Sequence, residues 1–422
     1  MLNILRSIRA AYTLKLVLEI VLVAFVVVLV SWYWSVDEHV VFIPLFAAAG
    51  LIFIERWDPE ISNPKGNLSP LVFYILFLGW LALSSLWSGV FHLSLSYAIL
   101  AVLVALTGLL LGFSLPIGST LAGVFIGVSF VLGHGILTDG DGIFGFFKDS
   151  DLQRESDAIV GLFNNSSSAA FLIGLGFVAL IAISARSVLL RIFTVLLAIL
   201  FIFLAVNQKG LTTLVSMFAA LIVLAMVFHL RRSSENLKKY LGFAYAISVT
   251  GAAALFWFFR EPILRPIGEG PDLSGRTILW DWYFEAFLWR PVIGAGWGNT
   301  VGWPPLQPDR LEPVKEFFPA HNGFIDIGLA LGGVGVLLVV VTLAMLFIAG
   351  VKRASDKRYS LAYQFVPALV VYLSLNDLMA TSLPRFIGLF LMGAMVGIVL
   401  KQPEPHFEHV EKAKKSELNL GL

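Results

Sequence analysis

Residues 211–230 read LTTLVSMFAALIVLAMVFHL. The run has no Asp, Glu, Lys or Arg, and a helix of this length is about 30 Å long, which is the thickness of the hydrocarbon core of a bilayer. A second run, residues 323–350, has Asp326 as its one charged residue. A buried core helix of a soluble protein would explain one such run, but not about a dozen. The runs therefore predict a chain that crosses a membrane repeatedly.

The composition favours the same class. The 422 residues are 58% hydrophobic and 14% charged, whereas soluble chains carry about 25% charged residues. We predict an all-α polytopic membrane protein with about twelve transmembrane helices, the second short and the tenth long. The predicted spans lie near residues 16–34, 40–54, 70–87, 94–112, 116–133, 167–184, 188–206, 211–229, 241–259, 322–350, 361–376 and 384–400. The chain has no cysteine, which excludes disulfides and thiol nucleophiles.

The basic residues give the orientation, because cytoplasmic loops carry an excess of Lys and Arg. With a cytoplasmic N-terminus and twelve alternating spans, about two thirds of the basic residues fall on the cytoplasmic side. Lys209 and Arg385 are exceptions in short external turns. We predict one transmembrane domain, residues 1–401, with a large external loop at 260–321 between the ninth and tenth spans. Residues 402–422 are charged, which predicts a disordered cytoplasmic tail.

The external loop holds the most specific motif. Residues 274–280 read SGRTILW, and a helix over 277–289 is predicted to begin after Ser274 and to end before Pro291. The helix is rich in Trp, Tyr and Phe, which is typical of the membrane–water boundary. Residues 290–298 (RPVIGAGWG) lack the preceding strand that a dinucleotide-binding loop needs. They predict a tight turn that returns the chain to the membrane.

His321 and Asn322 stand where the tenth span begins. The start of a helix offers free N–H groups and a partial positive charge to an anion. Asn322 and Asp326 are one helical turn apart on the same face, where they could orient a substrate. A simple cap and a packed polar pair are the alternatives. The other long external segment contains DGDG at residues 139–142, but it lacks the ligand series of a calcium-binding loop, so no metal site is predicted.

The motifs resemble the O-antigen ligase and Wzy-type polysaccharide polymerase family. The residues that carry the resemblance are Arg276 within SGRTxxW, the RPxxGxGxG turn and the His321-Asn322 pair. Residues 84–88 (SSLWS) and 161–165 (GLFNN) are similar to further family segments. One position departs from the family: residues 208–210 read QKG where an arginine is usual, so Lys209 keeps the charge but not the planar fork.

This resemblance implies a glycosyltransferase of the GT-C superfamily in the bacterial inner membrane, with its active site facing the periplasm. The implied donor is a saccharide on undecaprenyl diphosphate. The acceptor is another lipid-linked repeat unit, giving polymerisation of an O-antigen or exopolysaccharide, or lipid A-core, giving ligation; the SGRTxxW wording favours polymerisation. Inversion at the anomeric carbon without a metal or another cofactor is implied. Membrane lipids and a chain-length regulator are candidate partners, and nucleic acid is not.

Physical chemistry gives the candidate residues their roles. Breaking a sugar–diphosphate bond develops negative charge on the leaving group, and preplaced cations stabilise it. Arg276 offers a fork suited to phosphate, Lys209 a point charge and Arg385 a third cation; for Arg385 an interfacial, snorkelling arginine is the alternative. His321, with an ordinary pKa of about 6.5, is a catalytic candidate as the base for the acceptor hydroxyl or as a hydrogen-bond donor to phosphate.

A transporter or flippase is the alternative from another functional class. Transporters place their charged sites near the middle of the bilayer. In this chain the conspicuous cations gather at one external face, and the central parts of the spans are nearly free of charge. The distribution favours an enzyme that acts on a lipid headgroup.

Overall fold

The protein is a bundle of helices in the described part of the chain, with no strand there. A computed structural model describes residues 2–32, 42–56, 68–138, 166–183, 188–207, 211–234, 276–298, 320–378 and 384–401. Its helices are α1 (Leu2–Trp32), α2 (Phe42–Arg56), α3 (Ser69–Leu83), α4 (Phe91–Ser114), α5 (Ile117–Thr138), α6 (Ser166–Ala182), α7 (Val188–Asn207), α8 (Leu211–Arg232), α9 (Arg276–Leu288), α10 (Gly323–Ser355), α11 (Phe365–Asn376) and α12 (Phe386–Leu400). Two 3₁₀ turns, Ser84–Trp87 and Leu361–Gln364, precede α4 and α11.

The predicted all-helical architecture is confirmed for the described residues. A helix occupies every predicted span except 241–259, which lies outside the described residues, as do residues 260–275 and 402–422. Six of the described helices are long and apolar enough to cross a membrane, and five shorter apolar helices fill further predicted positions. The count of twelve spans and the placement of the external loop remain predictions.

Close helix contacts at small residues hold the centre of the bundle together. α12 lies along α4, and an added Cβ at Gly108 would stand 2.1 Å from the Phe390 carbonyl oxygen. The same atom at Gly393 would stand 2.1 Å from the Ala105 carbonyl oxygen. The Tyr74 hydroxyl of α3 donates to the Leu389 carbonyl at 2.9 Å. Because lipid is as apolar as leucine, such close backbone packing and interhelical hydrogen bonds are what drive helices together in a membrane.

One end of α10 meets the ends of α8 and α12 through arginine. The Arg231 guanidinium donates to the carbonyls of Ala354, at 2.9 Å, and Tyr359, at 2.8 Å. Arg353 donates to the carbonyl of Lys401. The basic-residue count assigns all of these arginines and lysines to the cytoplasm, and the structure gathers them at one end of the bundle.

The opposite end of α10 meets the end of α11 and the start of α8. The amide of Gly323 donates to the Asp377 carbonyl at 2.8 Å. The Asn376 side-chain amide donates to the Thr213 hydroxyl at 3.4 Å, in the first turn of α8. Segments that are far apart in sequence therefore come together at the start of α10, two residues after His321.

Candidate functional site

His321 is held in an unusual backbone conformation immediately before α10. Its φ is 50°, the one positive value at a non-glycine among the described residues. Asn, Asp and His tolerate this left-handed region best among non-glycine residues. The preceding residue, Ala320, is fixed on both sides: its amide donates to the Asp326 carboxylate at 3.1 Å, and its carbonyl accepts from the Trp280 indole at 3.0 Å. These contacts set the direction in which the chain presents the imidazole.

Asn322 forms the N-terminal cap of α10. Its side-chain oxygen accepts from the amides of Phe324, at 3.0 Å, and Ile325, at 3.1 Å. Its side-chain nitrogen donates to the Leu378 carbonyl at 3.1 Å. The amide group therefore stabilises the first turn of α10 and joins it to the end of α11, and its role as a substrate-orienting residue remains a proposal.

Two arginines from distant parts of the sequence lie within electrostatic reach of His321. The pKa of His321 is lowered from its ordinary 6.5 to about 4, first by burial, then by the positive charge of Arg276 and then by that of Arg385. A lowered pKa means that the imidazole is neutral at every pH well above 4. At neutral pH, His321 is therefore in the form that can accept a proton.

Carboxylates accompany the cations. Burial lowers the pKa of the Arg385 guanidinium to about 10, and the negative charges of Asp326 and Asp377 oppose that shift, so Arg385 stays charged at neutral pH. Burial, followed by the charge of Asp326, raises the pKa of the Tyr283 phenol well above its usual range. The cluster thus combines two guanidiniums, the carboxyl groups of Asp326 and Asp377 and a neutral imidazole.

Helix α9 carries Arg276 and packs against the first turns of α10. The sequence predicts this helix over 277–289, and it runs from Arg276 to Leu288. Its buried side chains, Leu279, Tyr283 and Ala286, form one apolar cluster with Leu329 of α10. The opposite face is exposed, with Phe284 58% and Leu288 56% accessible. This two-sided pattern fits a helix that rests on the bundle and faces lipid headgroups.

Asp377 and Asn376 are the site residues that sequence reasoning missed. Asp377 is completely buried and Asn376 is 1% exposed. A Cβ at Gly323 would stand 1.9 Å from the Asp377 carboxylate, so only glycine lets α10 start this close to it. A sequence signal existed, since Asn-Asp ends an apolar span eight residues before Arg385. Residues 361–376 were interpreted only as a membrane span, so the polar pair at its end was not considered.

Several residues of the predicted motifs lie outside the described residues. Lys209, with its neighbours Gln208 and Gly210, lies outside the described residues, as do Ser274, Gly275 and the GLFNN segment. Thr213, four residues after Lys209, is within hydrogen-bonding distance of Asn376. Within the described ranges, no three His, Asp or Glu side chains come together as a metal site.

Comparison with protein families agrees with the motif. Residues 203–340 match the family model described as O-antigen ligase. The match spans about a third of the chain and includes Lys209, Arg276 and His321, whereas Arg385 lies beyond it. A search of curated proteins finds no match to the chain. The predicted resemblance to the O-antigen ligase and Wzy-type family is confirmed over this segment.

Proposed function

We propose, on the premise that residues 203–340 form an O-antigen ligase domain, that this protein is a metal-independent, inverting glycosyltransferase of the GT-C type. It takes a saccharide from undecaprenyl diphosphate at the periplasmic face of the bacterial inner membrane. No cofactor takes part. The observation that carries the proposal is the gathering of Arg276, Arg385 and a neutral His321 at the start of α10.

The cations have a direct task in this reaction. When the bond between the anomeric carbon and the phosphate oxygen breaks, its electron pair leaves with the diphosphate. Arg276 and Arg385 stabilise that charge, and Lys209 is the third cation of the proposed site. Preorganised charges aimed at a leaving group are usually the largest contribution to such catalysis. Arg276 adds the geometry of a fork that can hold two phosphate oxygens at once.

His321 acts on the other substrate. The acceptor hydroxyl attacks the anomeric carbon from the face opposite the leaving diphosphate, which inverts the configuration. Its proton passes to the neutral imidazole, whose pKa of about 4 keeps it unprotonated before the reaction. Asn322 and Asp326 are the proposed orienting residues, since both flank His321. The rival role for His321 is donation of a hydrogen bond to phosphate.

Two acceptors are candidates. A second lipid-linked repeat unit would give polymerisation of a surface polysaccharide, which the SGRTxxW wording favours; a chain-length regulator would then be a partner. Lipid A-core would give ligation, which the family's description favours. Deleting the gene and separating surface glycans on gels distinguishes them. Single-repeat glycans would indicate a polymerase, and bare core with retained lipid-linked polymer would indicate a ligase.

The transporter alternative is tested with purified protein. Detergent removes the membrane barrier, so a transporter or flippase would leave lipid-linked saccharides chemically unchanged. A transferase would release undecaprenyl diphosphate and form a new glycosidic bond, and the two products are expected in equal amounts. If no donor is consumed with either acceptor, while the protein moves lipid-linked saccharide across vesicle membranes, the transferase proposal is wrong.

A further inference from the structure

Helix α10 is broken one third of the way along its length. Gly332 has φ 68° and ψ −172°, far from helical values, so the 33 residues form two helical pieces. The backbone amides that follow the break donate hydrogen bonds to another segment. Gly333 donates to the Pro291 carbonyl at 2.7 Å, and Val334 donates to the Val292 carbonyl at 3.3 Å. These are backbone atoms of the turn that follows α9.

The backbone carbonyls just before the break also accept hydrogen bonds from residues outside the helix. Those of Leu329 and Ala330 accept from the amides of Ala295, at 2.8 Å, and Gly296, at 2.9 Å. The carbonyl of Leu331 accepts from the indole of Trp80, on α3, at 2.9 Å. An unpaired backbone group costs several kcal/mol in a bilayer. The turn and Trp80 together satisfy the groups that the break exposes.

Glycine makes this fit possible. An added Cβ at Gly332 would stand 2.2 Å from the Val292 carbonyl oxygen, and one at Gly294 would stand 2.5 Å from the Ala330 carbonyl oxygen. Gly294 and Gly332 also have φ of 69° and 68°, which side chains rarely adopt. The glycines of the RPxxGxGxG motif thus allow two backbones to touch.

The SSLWS segment completes the assembly from the other side. The Ser84 hydroxyl accepts from the Trp297 amide at 2.9 Å. The Trp87 indole donates to the Ile293 carbonyl at 3.2 Å, and the Trp87 carbonyl accepts from Arg290 at 3.2 Å. We call the turn (residues 290–298), the break in α10 (329–334) and the residues of α3 and its following 3₁₀ turn that contact them (Trp80, Ser84, Trp87) the helix joint. It joins two motifs that are about 200 residues apart.

We propose that the helix joint is a positioning device for the transfer reaction, in which Trp80 and Gly332 hold α9, and with it Arg276, in place against His321. The proposal rests on the proposed function. Arg276 begins α9, and Arg290 of the joint comes two residues after α9 ends. On α10, Leu329 lies six residues after the first residue of the helix, Gly323. The joint therefore fixes the far end of α9, while the Trp280–Ala320 hydrogen bond fixes its near end.

The pKa of His321 depends on the position of α9. The charged groups around it are Arg276 on α9, Asp326 on α10, Asp377 after α11 and Arg385 before α12. Of these, Arg276 stands on the element that the joint holds. Its charge helps to lower the pKa of His321. Loosening the joint moves this charge away, so the pKa of His321 rises toward its ordinary value.

The first experiment measures the joint itself and needs no activity. The native chain has no cysteine, so spin labels are placed through Glu285→Cys on α9 and Leu337→Cys on α10, both of which are exposed positions. Pulsed electron resonance gives the distance distribution between the labels. Trp80→Phe keeps an aromatic ring but loses the donor to Leu331, and we expect a broader distribution. Trp289→Phe, which changes an exposed indole near the end of α9, is the matched control.

The second experiment tests whether the fixed position of α9 affects the rate of transfer. Trp80→Phe is expected to lower kcat about 3- to 10-fold, and Gly332→Ala about 100-fold, because small misplacements of reacting groups reduce rates steeply. The acid limb of kcat/KM should move to higher pH in Trp80→Phe and stay in place in Trp289→Phe. The amount of folded protein is matched between the variants by gel filtration.

Several outcomes overturn the proposal. Unchanged distances in both Trp80→Phe and Gly332→Ala would show that the joint does not hold α9. Broader distances with kcat and the pH profile unchanged would make the joint structural only. If the wild type transfers no saccharide while the distances broaden as expected, then the proposed function has failed and the mechanical part of the joint has not.

Discussion

The two ends of α10 both gather arginine, but the partners of the arginines differ. At the Ser355 end, Arg231 and Arg353 donate to backbone carbonyls of neighbouring segments, and the carboxylate of Asp356, which lies near Arg231, is paired with Arg358. At the His321 end, Arg276 and Arg385 lie among ionisable side chains, with Asp326 and Asp377 close to Arg385. An arginine bound to carbonyls closes a helix end, whereas arginines grouped with carboxylates and a neutral imidazole are typical of a reaction site. The partners of the arginines, more than the residue type, distinguish the proposed site from the structural contacts.

Loss of Arg276 should have the largest effect. In Arg276→Ala, transfer from a lipid-linked donor should fall about 10²–10³-fold, because a preplaced charge for the leaving diphosphate is gone. Arg276→Lys should recover part of the rate, since it restores the charge without the fork. Product is measured in detergent with and without EDTA. An equal loss in Arg231→Ala, at matched folded protein, would erase the distinction between the two ends of α10.

Lys209, which lies outside the described residues, tests whether the His321 end has a third cation. If it is the third cation of the His321 end, Lys209→Ala should lower the rate about 10²-fold, and Lys209→Arg should keep much of it, because charge matters more than shape there. The readout is long glycan made from purified lipid-linked repeat units. Full activity of Lys209→Ala would remove it from the site and leave it as a cap of α8.

The pH profile tests the electrostatics of the His321 end. A general base must be neutral, so kcat/KM should fall as the pH drops through about 4, the pKa of His321. Arg385→Gln removes one of the charges that lower this pKa, so the acid limb should shift upward. The shift should be modest, because burial, the largest cause, remains. A limb that stays in place or moves downward would contradict the assignment of this limb to His321.

The smallest effect on catalysis is expected at the Ser355 end. Arg231→Gln removes hydrogen bonds to Ala354 and Tyr359, which should lower the free energy of unfolding by about 1–3 kcal/mol. The rate per folded molecule should stay near that of wild type. Thermal unfolding and transfer are measured on the same preparation. A specific loss of rate without a change in unfolding would mean that this end also serves the reaction.

The sequence predicted the parts that depend on local composition. Apolar runs of membrane length gave helices at the expected positions, and α9 begins within one residue of its predicted start. Arg276 and His321 could be proposed as site residues because their motifs are short and continuous, and the structure places them within electrostatic reach of each other. Asp377 was missed because its importance comes from burial against Gly323 and charge beside Arg385, and neither is visible within an apolar span. The break at Gly332 was missed because its hydrogen-bond partners lie about 40 residues earlier in the chain.

The broken α10 also constrains the order in which the chain is built. Trp80 and the turn at residues 290–298 are synthesised before Leu329–Val334, the residues they serve. When α10 enters the bilayer, its interrupted ladder exposes backbone groups that lipid cannot satisfy. The groups at the break are therefore satisfied only once Trp80 and the turn at residues 290–298 have docked against α10.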